Sequence, residues 1–206
     1  PVDSTNFFGK VDHRAGDRDQ FSVRYGLYDV TSLNSRGAGG LSAPSASAGL
    51  DSRDQTVSLS NTFVLSERTV LETRAQVTKS NRLAPPTDPV GPAVAISGVA
   101  SFGTSPSSPT GRLNTLYQVV NNVSHQSGAH AVRAGFDVIY NADRVTYPRA
   151  VRGSYTFSSL PNFLTGVYNN AGFTQTFGVS EVEQGNPNLG LYFQDEWKAT
   201  SDLTLN

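Results

Sequence analysis

Apolar and polar residues alternate along most of this chain with a period of two, the pattern of β-strands that have one apolar face. The stretch 20–29 shows it most clearly, because small or polar residues separate Phe21, Val23, Tyr25 and Leu27. Helical periodicity is nearly absent. The pattern predicts strands over the ranges 7–14, 20–29, 55–65, 69–78, 113–124, 129–141, 189–198 and, as a short last strand, 203–206.

The connections between these strands alternate between short and long. Short turns are predicted at 15–19, 66–68, 125–128 and 199–202, and long loops at 30–54, 79–112 and 142–188. An up-and-down meander then has every short turn at one end and every long loop at the other, as outer-membrane barrels do. We therefore predict an all-β, antiparallel up-and-down meander of about seven to eight strands, an incomplete segment of a large transmembrane β-barrel.

The three long loops differ in what they can form. The first is rich in Gly, Ala and Ser around 37–45, so it is predicted to bury no core and to be mobile. The second carries prolines at 85, 86, 89, 92, 106 and 109, which argue against regular strand pairing across it. The third is predicted to contain a short extended piece at 153–157 and one helical turn at 160–164.

Composition excludes several classes of protein. The 206 residues include no cysteine, so disulfide bonds and thiolate chemistry are impossible. The net charge of −1, with 16% charged residues, gives no electrostatic reason to expect a nucleic-acid partner. No apolar run is long enough for a membrane-spanning helix. The length predicts one domain, and we expect residues 1–206 to be a single partial β-barrel domain.

Several segments resemble the barrels of TonB-dependent receptors. The segment FFGKVDHR at 7–14, its acidic turn and FSVRY at 21–25 are similar to a hairpin of that family. The loop segments GSYTF at 153–157 and FLTG at 163–166 resemble a loop signature of Oar-like receptors, which carry a carboxypeptidase-regulatory-like domain. LYFQDEWK at 191–198, followed by LTLN at 203–206, resembles the family's recurrent strand-turn-strand.

The resemblance implies a receptor of the bacterial outer membrane that takes up a bulky nutrient with energy supplied through TonB. Its partners would be the membrane lipid, the ligand, its own plug domain and the TonB complex. About 22 strands would surround the plug. The signal peptide, the plug and the remaining strands are expected to lie outside this segment.

Polar residues on the inward face of the strands are the first candidates for function, because the lumen face of such a barrel is polar. They are predicted to contact the plug or to line a water-filled gap; the alternative is plain exposure to solvent on an open sheet. The candidates are Arg24, Tyr28, Glu72, Arg74, Gln76, Arg133, Asp137 and Glu196.

The third long loop carries aromatic residues and arginines, the residue types that dominate recognition surfaces. We predict that they contact the ligand; the alternative is that they pack the loop over the pore. The candidates are Tyr147, Arg149, Arg152, Tyr155, Tyr168 and Phe173.

Three polar residues, Asn61, Asn121 and Asp195, interrupt the apolar face of the strands. Each lies four or five residues before a short turn, so all three are expected at a similar height. We predict either a polar belt at the periplasmic edge of the apolar band or a bulge that reverses the phase below it.

No catalytic or metal-binding constellation is apparent. His125 and His130 flank one tight turn, but two imidazoles without a third ligand make a weak metal site, and exposed turn histidines are the simpler interpretation. Ser124 and Ser127 lie near His125 without a nucleophile elbow. We expect neither an enzyme nor a bound cofactor. The alternative function is a soluble β-sandwich or solenoid-like binding module, for carbohydrate or adhesion, whose apolar stripes would face a core.

Overall fold

The computed structural model describes residues 1–169, 172–178 and 180–206, and strands dominate it. Eight strands form one antiparallel sheet in the order β1-β2-β3-β4-β7-β8-β11-β12, and four short strands form a second sheet in the order β10-β9-β5-β6. The predicted all-β meander is confirmed. The elements are β1 Val2–Arg14, β2 Asp19–Arg36, β3 Ala48–Ser66, β4 Thr69–Ala84, β5 Ala93–Ile96, β6 Ala100–Gly103, β7 Thr110–Ser127, β8 His130–Thr146, β9 Ser154–Phe157, helix α1 Leu160–Leu164, β10 Phe173–Thr174, β11 Glu181–Lys198 and β12 Thr204–Leu205.

The strands of the large sheet are longer than predicted, and they extend mainly at the end of the long loops. β2 continues to Arg36 and β3 begins at Ala48, although alternation predicts strands only at 20–29 and 55–65. The added residues are mostly polar, so periodicity of apolar residues does not mark them. Backbone pairing continues there, and ion pairs such as Arg53–Asp29 (2.6 Å) link neighbouring strands.

The second and third long loops join in the small sheet, which lies at their end of the large one. β5 pairs antiparallel with β6 within the second loop and parallel with β9 of the third loop. The prediction that prolines prevent pairing across the second loop is wrong, because β5 and β6 fit between Pro92 and Pro106. The predicted extended piece and helical turn of the third loop are confirmed as β9 and α1.

The first long loop is packed against the second. None of residues 37–45, which are predicted to bury no core, is buried, but Ser47 just after them is. Ser47 is fully buried, and its hydroxyl is 3.1 Å from Asn34 Oδ1 and 3.0 Å from Thr87 Oγ1. The backbone of Ser101 in β6 accepts a hydrogen bond from Ala43 and donates one to Leu41. We call the assembly of residues 37–47, 85–109, 147–169 and 172–178 the loop cap.

The pairing register reveals the tilt of the strands. The last pair of the first hairpin, Arg14–Gln20, lies in a row that reaches Tyr192 on β11. Tyr192 lies six residues before Lys198, which ends β11 at its own tight turn. The turns therefore shift by about one residue per strand, and with a rise of about 3.3 Å and a strand spacing of about 4.8 Å this gives a tilt of about 35°. Closed barrels have this inclination.

The two faces of the large sheet differ in polarity and in curvature. On β3, Val57 and Leu59 are exposed on the apolar face, whereas Ser58 and Ser60 on the polar face are half-buried. This difference in exposure indicates that the polar face is concave and the apolar face convex. At that tilt a 25 Å apolar band takes about nine residues per strand, which corresponds to residues 57–65 of β3. No helix within the described residues is long and apolar enough to cross a membrane.

Candidate functional site

All eight residues predicted to face inward lie on the concave face. Arg24 and Gln76 share one pairing row, through Ser58, and Arg74 and Asp137 share the next row, through Val120. The structure brings Arg24, Glu72, Arg74 and Gln76 together around one depression. The other four lie apart from it on the same face: Tyr28 towards the loop cap, and Arg133, Asp137 and Glu196 on β8 and β11.

The depression is a shallow cavity of about 470 Å³ in the concave wall. Its floor consists of small polar side chains from β2 and β3, including Ser22, Ser58 and Ser60. The hydroxyl of Ser22 is buried and has no hydrogen-bond partner in the described part of the chain. Arg24, Arg74 and Glu72 form no salt bridge with any described residue. These three charges are therefore available to a partner that occupies the depression.

Several polar side chains on the concave face were not predicted as site residues. Gln118 lines the depression, and its amide nitrogen lies 3.0 Å from both carboxylate oxygens of Asp137. Asn122 accepts a hydrogen bond of 3.0 Å from the hydroxyl of Tyr192. Both amides lie on the polar face of a predicted strand, so alternation puts them on this face, although neither was among the predicted site residues.

The loop residues predicted to contact a ligand separate into two groups. The Tyr155 ring lies between other aromatic rings, with centroid distances of 4.7 Å to Phe173 and 5.6 Å to Tyr168. In the second group Arg149 stands 5.8 Å over the ring of Tyr147, which is exposed, as are Tyr168 and Phe173. Arg152 is exposed in the turn before β9.

The aromatic cluster of the loop cap is a small core that sequence reasoning did not identify. Phe163 of α1 contacts Phe157 and Phe102 edge-on, with centroid distances of 5.2 Å and 5.8 Å. Ile96 and Phe157 are buried beside it. Because these residues come from the second and third loops, the cluster holds the two loops together.

Asn61 and Asn121 lie on the convex face, as predicted, in the same pairing row. They do not end the apolar band, because Phe63, Leu71 and Val123 continue it on the side of the tight turns. The predicted periplasmic belt is therefore wrong. A bulge does occur between Val64 and Ser66, but it follows Phe63 and does not reverse the phase at Asn61.

Asp195, the third interruption, pairs with a histidine. Its Oδ2 lies 2.7 Å from His130 Nδ1, and the His130 ring stacks on Trp197 at a centroid distance of 5.7 Å. The other carboxylate oxygen is buried without a partner among the residues that the structure describes. The pairing of Asp195 with Val132 puts this acid on the convex face, three residues before the end of β11.

The histidines that flank the β7–β8 turn bond to different partners. His125 Nδ1 lies 2.9 Å from Thr69 Oγ1, while His130 bonds to Asp195. In residues 1–169, 172–178 and 180–206, no group of three or more His, Asp or Glu side chains could hold a metal ion.

Ion pairs link the strands beyond the apolar band. Asp143 lies thirteen residues after the start of β8, and it accepts hydrogen bonds from Arg112 (2.9 Å) and Asn114 (2.8 Å). These bonds hold the pKa of Asp143 below its ordinary value. Asp29 likewise raises the pKa of Arg53, and Glu183 raises that of Arg144.

A family model described as "Outer membrane beta barrel domain" matches residues 1–206. No curated protein and no solved structure shows a significant match.

Proposed function

Because this chain belongs to the family of outer membrane β-barrel domains, we propose that it is the wall and loop segment of a TonB-dependent receptor. In this proposal the convex face contacts lipid and the concave face surrounds a plug domain. The loop cap makes first contact with a bulky nutrient, which the receptor imports with energy supplied through TonB. The role is transport and not catalysis.

Family membership places the chain in the bacterial outer membrane. The alternative of a soluble β-sandwich or solenoid-like module is therefore wrong. The sheet topology agrees with this, since the second sheet consists of four short loop strands and does not form an opposing layer for the large one. The apolar convex face is instead the surface that a bilayer covers.

The depression in the concave wall is the observation that carries the plugged-receptor proposal. Arg24, Arg74 and Glu72 project from it without ion-pair partners among the described residues, and the Ser22 hydroxyl lacks a hydrogen bond. A buried polar group costs free energy unless it is paired. A polar segment inserted in the lumen would supply partners to these groups.

The loop cap supports a role in recognition. Its aromatic core and the parallel pairing of β5 with β9 give it a defined shape, which a binding surface requires. Tyr147 and Arg149 lie outside that core as an exposed cation–π pair. We propose this pair, with Arg152, as the ligand-contacting part of the loop, and the Tyr155 group as its support.

A photo-crosslinker at position 76 of the intact protein tests the plugged lumen. Gln76 lines the depression on the concave face, and its neighbour Val77 lies on the convex face as a matched control. The expected result is an intramolecular crosslink from position 76 to a lumen segment of the same polypeptide, and a lipid adduct from position 77. Ready modification of a cysteine at position 76 by a hydrophilic maleimide, without a crosslink, would indicate an open channel and overturn the proposal.

Growth of mutant cells tests energy-coupled uptake separately. Cells that lack this protein and cells that lack TonB are grown on a panel of polymeric nutrients, such as peptides and glycans. Both strains should lose growth on the same member of the panel. A nutrient that requires this protein but not TonB would contradict the proposal.

A further inference from the structure

A pocket lies where the loop cap meets the ends of β2, β3 and β7, and we call it the cap pocket. Its volume is about 290 Å³, close to the lower end of the range of small-molecule sites, so it suits a single sugar-sized unit. None of the lining residues that the structure describes is acidic. The polar and aromatic ones are Arg36, Ser105, Ser107, Ser108, Thr110 and Tyr147.

A bulge in β2 brings Arg36 to the cap pocket. After the pair Ser32–Leu50, β2 advances by four residues to Arg36 while β3 advances by two. Bulges re-aim side chains and often lie next to active sites. Arg36 is exposed and forms no salt bridge with any described residue, so its positive charge is available to a ligand.

The hydroxyls of the cap pocket come mainly from the turn at 105–108. Ser108 is only 4% exposed, yet no described residue forms a hydrogen bond with its side chain. The Oγ atoms of Ser105 and Ser107 are 3.5 Å apart, which is a weak contact. A buried hydroxyl costs free energy unless it is hydrogen-bonded. A ligand oxygen in the pocket supplies that partner.

Hydrogen bonds between the loops hold the turn at 105–108 in place. The backbone nitrogen of Ala150 in the third loop donates to the carbonyl oxygen of Pro106 at 2.7 Å. The first loop is attached as well, because Ser45 Oγ accepts a hydrogen bond of 3.2 Å from the backbone nitrogen of Gly103. The three loops therefore define the cap pocket before a ligand binds, and such preorganisation lowers the cost of binding.

Tyr147 gives the cap pocket an aromatic wall. The residue is 50% exposed, and the guanidinium of Arg149 stands over its ring at 5.8 Å from the centroid. Arg149 thus adds a second positive charge beside the pocket. A sugar ring has an apolar face that packs against an aromatic ring, and its hydroxyls need donors and acceptors close by. The pocket offers both, together with an excess of positive charge.

We propose that the cap pocket binds a carboxylate-bearing sugar, such as a uronic acid unit of an acidic glycan. The inference rests on the proposed role of the loop cap in recognition and names the class of ligand. Arg36 binds the carboxylate, the Tyr147 ring packs against the face of the sugar, and the Ser108 hydroxyl bonds a sugar oxygen. Arginine–carboxylate bonds are strong because both partners are charged. An acidic peptide matches the charge of Arg36 but has no ring of hydroxyls for the serines.

Binding of matched oligosaccharides to the intact, purified protein in detergent tests this proposal. Oligomers of galacturonate, glucuronate and mannuronate carry a carboxylate on every ring, and their methyl esters keep the rings and linkages without the charge. By isothermal titration calorimetry at low ionic strength, at least one acid should bind about ten-fold more tightly than its ester. Arg36→Gln should remove this difference, and Ser108→Ala should weaken binding of both forms. Arg68→Gln, the same change of charge in the tight turn between β3 and β4, is the control and should alter neither.

Three outcomes would overturn the proposal. The first is equal affinity for acid and ester, or binding of none of the oligomers. The second is an unchanged preference for the acid in Arg36→Gln, which would place the carboxylate elsewhere. The third is tighter binding of a glutamate peptide of the same charge, which would indicate an acidic peptide as the ligand. These measurements require neither TonB nor transport, so their failure is distinct from a failure of energy-coupled uptake in the growth experiment.

Discussion

Tyr192 on β11 reaches across β8 to donate a hydrogen bond of 3.0 Å to Asn122 on β7. It can do so because the residue between them on β8 is Gly135, and a Cβ there would lie 2.6 Å from Tyr192 Cε1. On the convex face Tyr140 covers Gly185 in a similar way, with its hydroxyl 2.6 Å from the position of a Cβ. An aromatic ring over a strand glycine fixes the register of neighbouring strands.

Gly135→Ala should destabilise the barrel by about 1–3 kcal/mol, because overpacked sites relax only by shifting their neighbours. The added Cβ would lie 2.5 Å from the backbone oxygen of Asn121, which no side-chain rotation can relieve. Urea unfolding of the intact protein in lipid vesicles measures the change. Gly26→Ala is the matched control, since a Cβ at Gly26 on the same face meets nothing within 4 Å. Equal losses from the two substitutions would contradict the explanation.

His130→Leu should cost about 1–3 kcal/mol, because it leaves both carboxylate oxygens of Asp195 without a partner near lipid. The double variant His130→Leu with Asp195→Leu should recover most of that loss, since replacing both partners of a pair by apolar groups is nearly neutral. Trp197 stacks on His130, so its fluorescence reports unfolding of this part of the wall. A double variant as unstable as His130→Leu alone would show that the pair is not the cause.

The Arg112–Asp143 pair should make the stability of the sheet beyond the apolar band sensitive to acid. The pKa of Asp143 is lowered in the folded protein, mainly by Arg112. Its contribution is therefore fully present above the ordinary carboxyl pKa of about 4 and is lost as pH falls through the lowered value. Thermal unfolding between about pH 3 and pH 6 tests this. Asp143→Asn and Arg112→Gln should each flatten the pH dependence, and an unchanged slope in both would contradict the assignment.

Tyr155→Ala should loosen the loop cap while the barrel wall stays folded. The ring packs against Phe173 and Tyr168, and loss of such packing costs on the order of 2 kcal/mol. Limited proteolysis should then cleave the third loop faster. Tyr147→Ala, in the exposed pair with Arg149, should leave the cleavage rate unchanged. Equal rates of cleavage of the third loop in the two variants would show that the Tyr155 group does not support the loop cap.

The sequence was sufficient to predict the wall. Alternation of apolar and polar residues is a local property of each strand. It therefore identified every strand of the large sheet and put Arg24, Arg74 and Gln76 on one face. It failed where strand formation depends on the neighbouring strand. The polar residues around Asp29 and Arg53 give no apolar signal, and they are in β2 and β3 because the strands beside them continue.

The loop cap and the row that joins Asn61, Thr73 and Asn121 needed the structure. Composition around Ser47 resembles a flexible linker, and only the partners Asn34 and Thr87, distant in sequence, explain its burial. Asn61 and Asn121 are 60 residues apart in sequence, and Thr73 lies between them only because β4 separates β3 from β7. Both cases depend on contacts between loops or strands that local pattern does not encode.

The length of the strands sets how far the protein stands above the lipid. Strands β3, β4, β7, β8 and β11 have 16 to 19 residues. Only about nine of them are needed to cross the hydrocarbon at this tilt. The remaining residues of each strand form a rim that stands about 20 Å above the hydrocarbon, since each tilted residue adds roughly 2.7 Å of height. A large molecule that diffuses towards the cell therefore reaches the aromatic and arginine side chains of the third loop well before it can touch the surface of the bilayer.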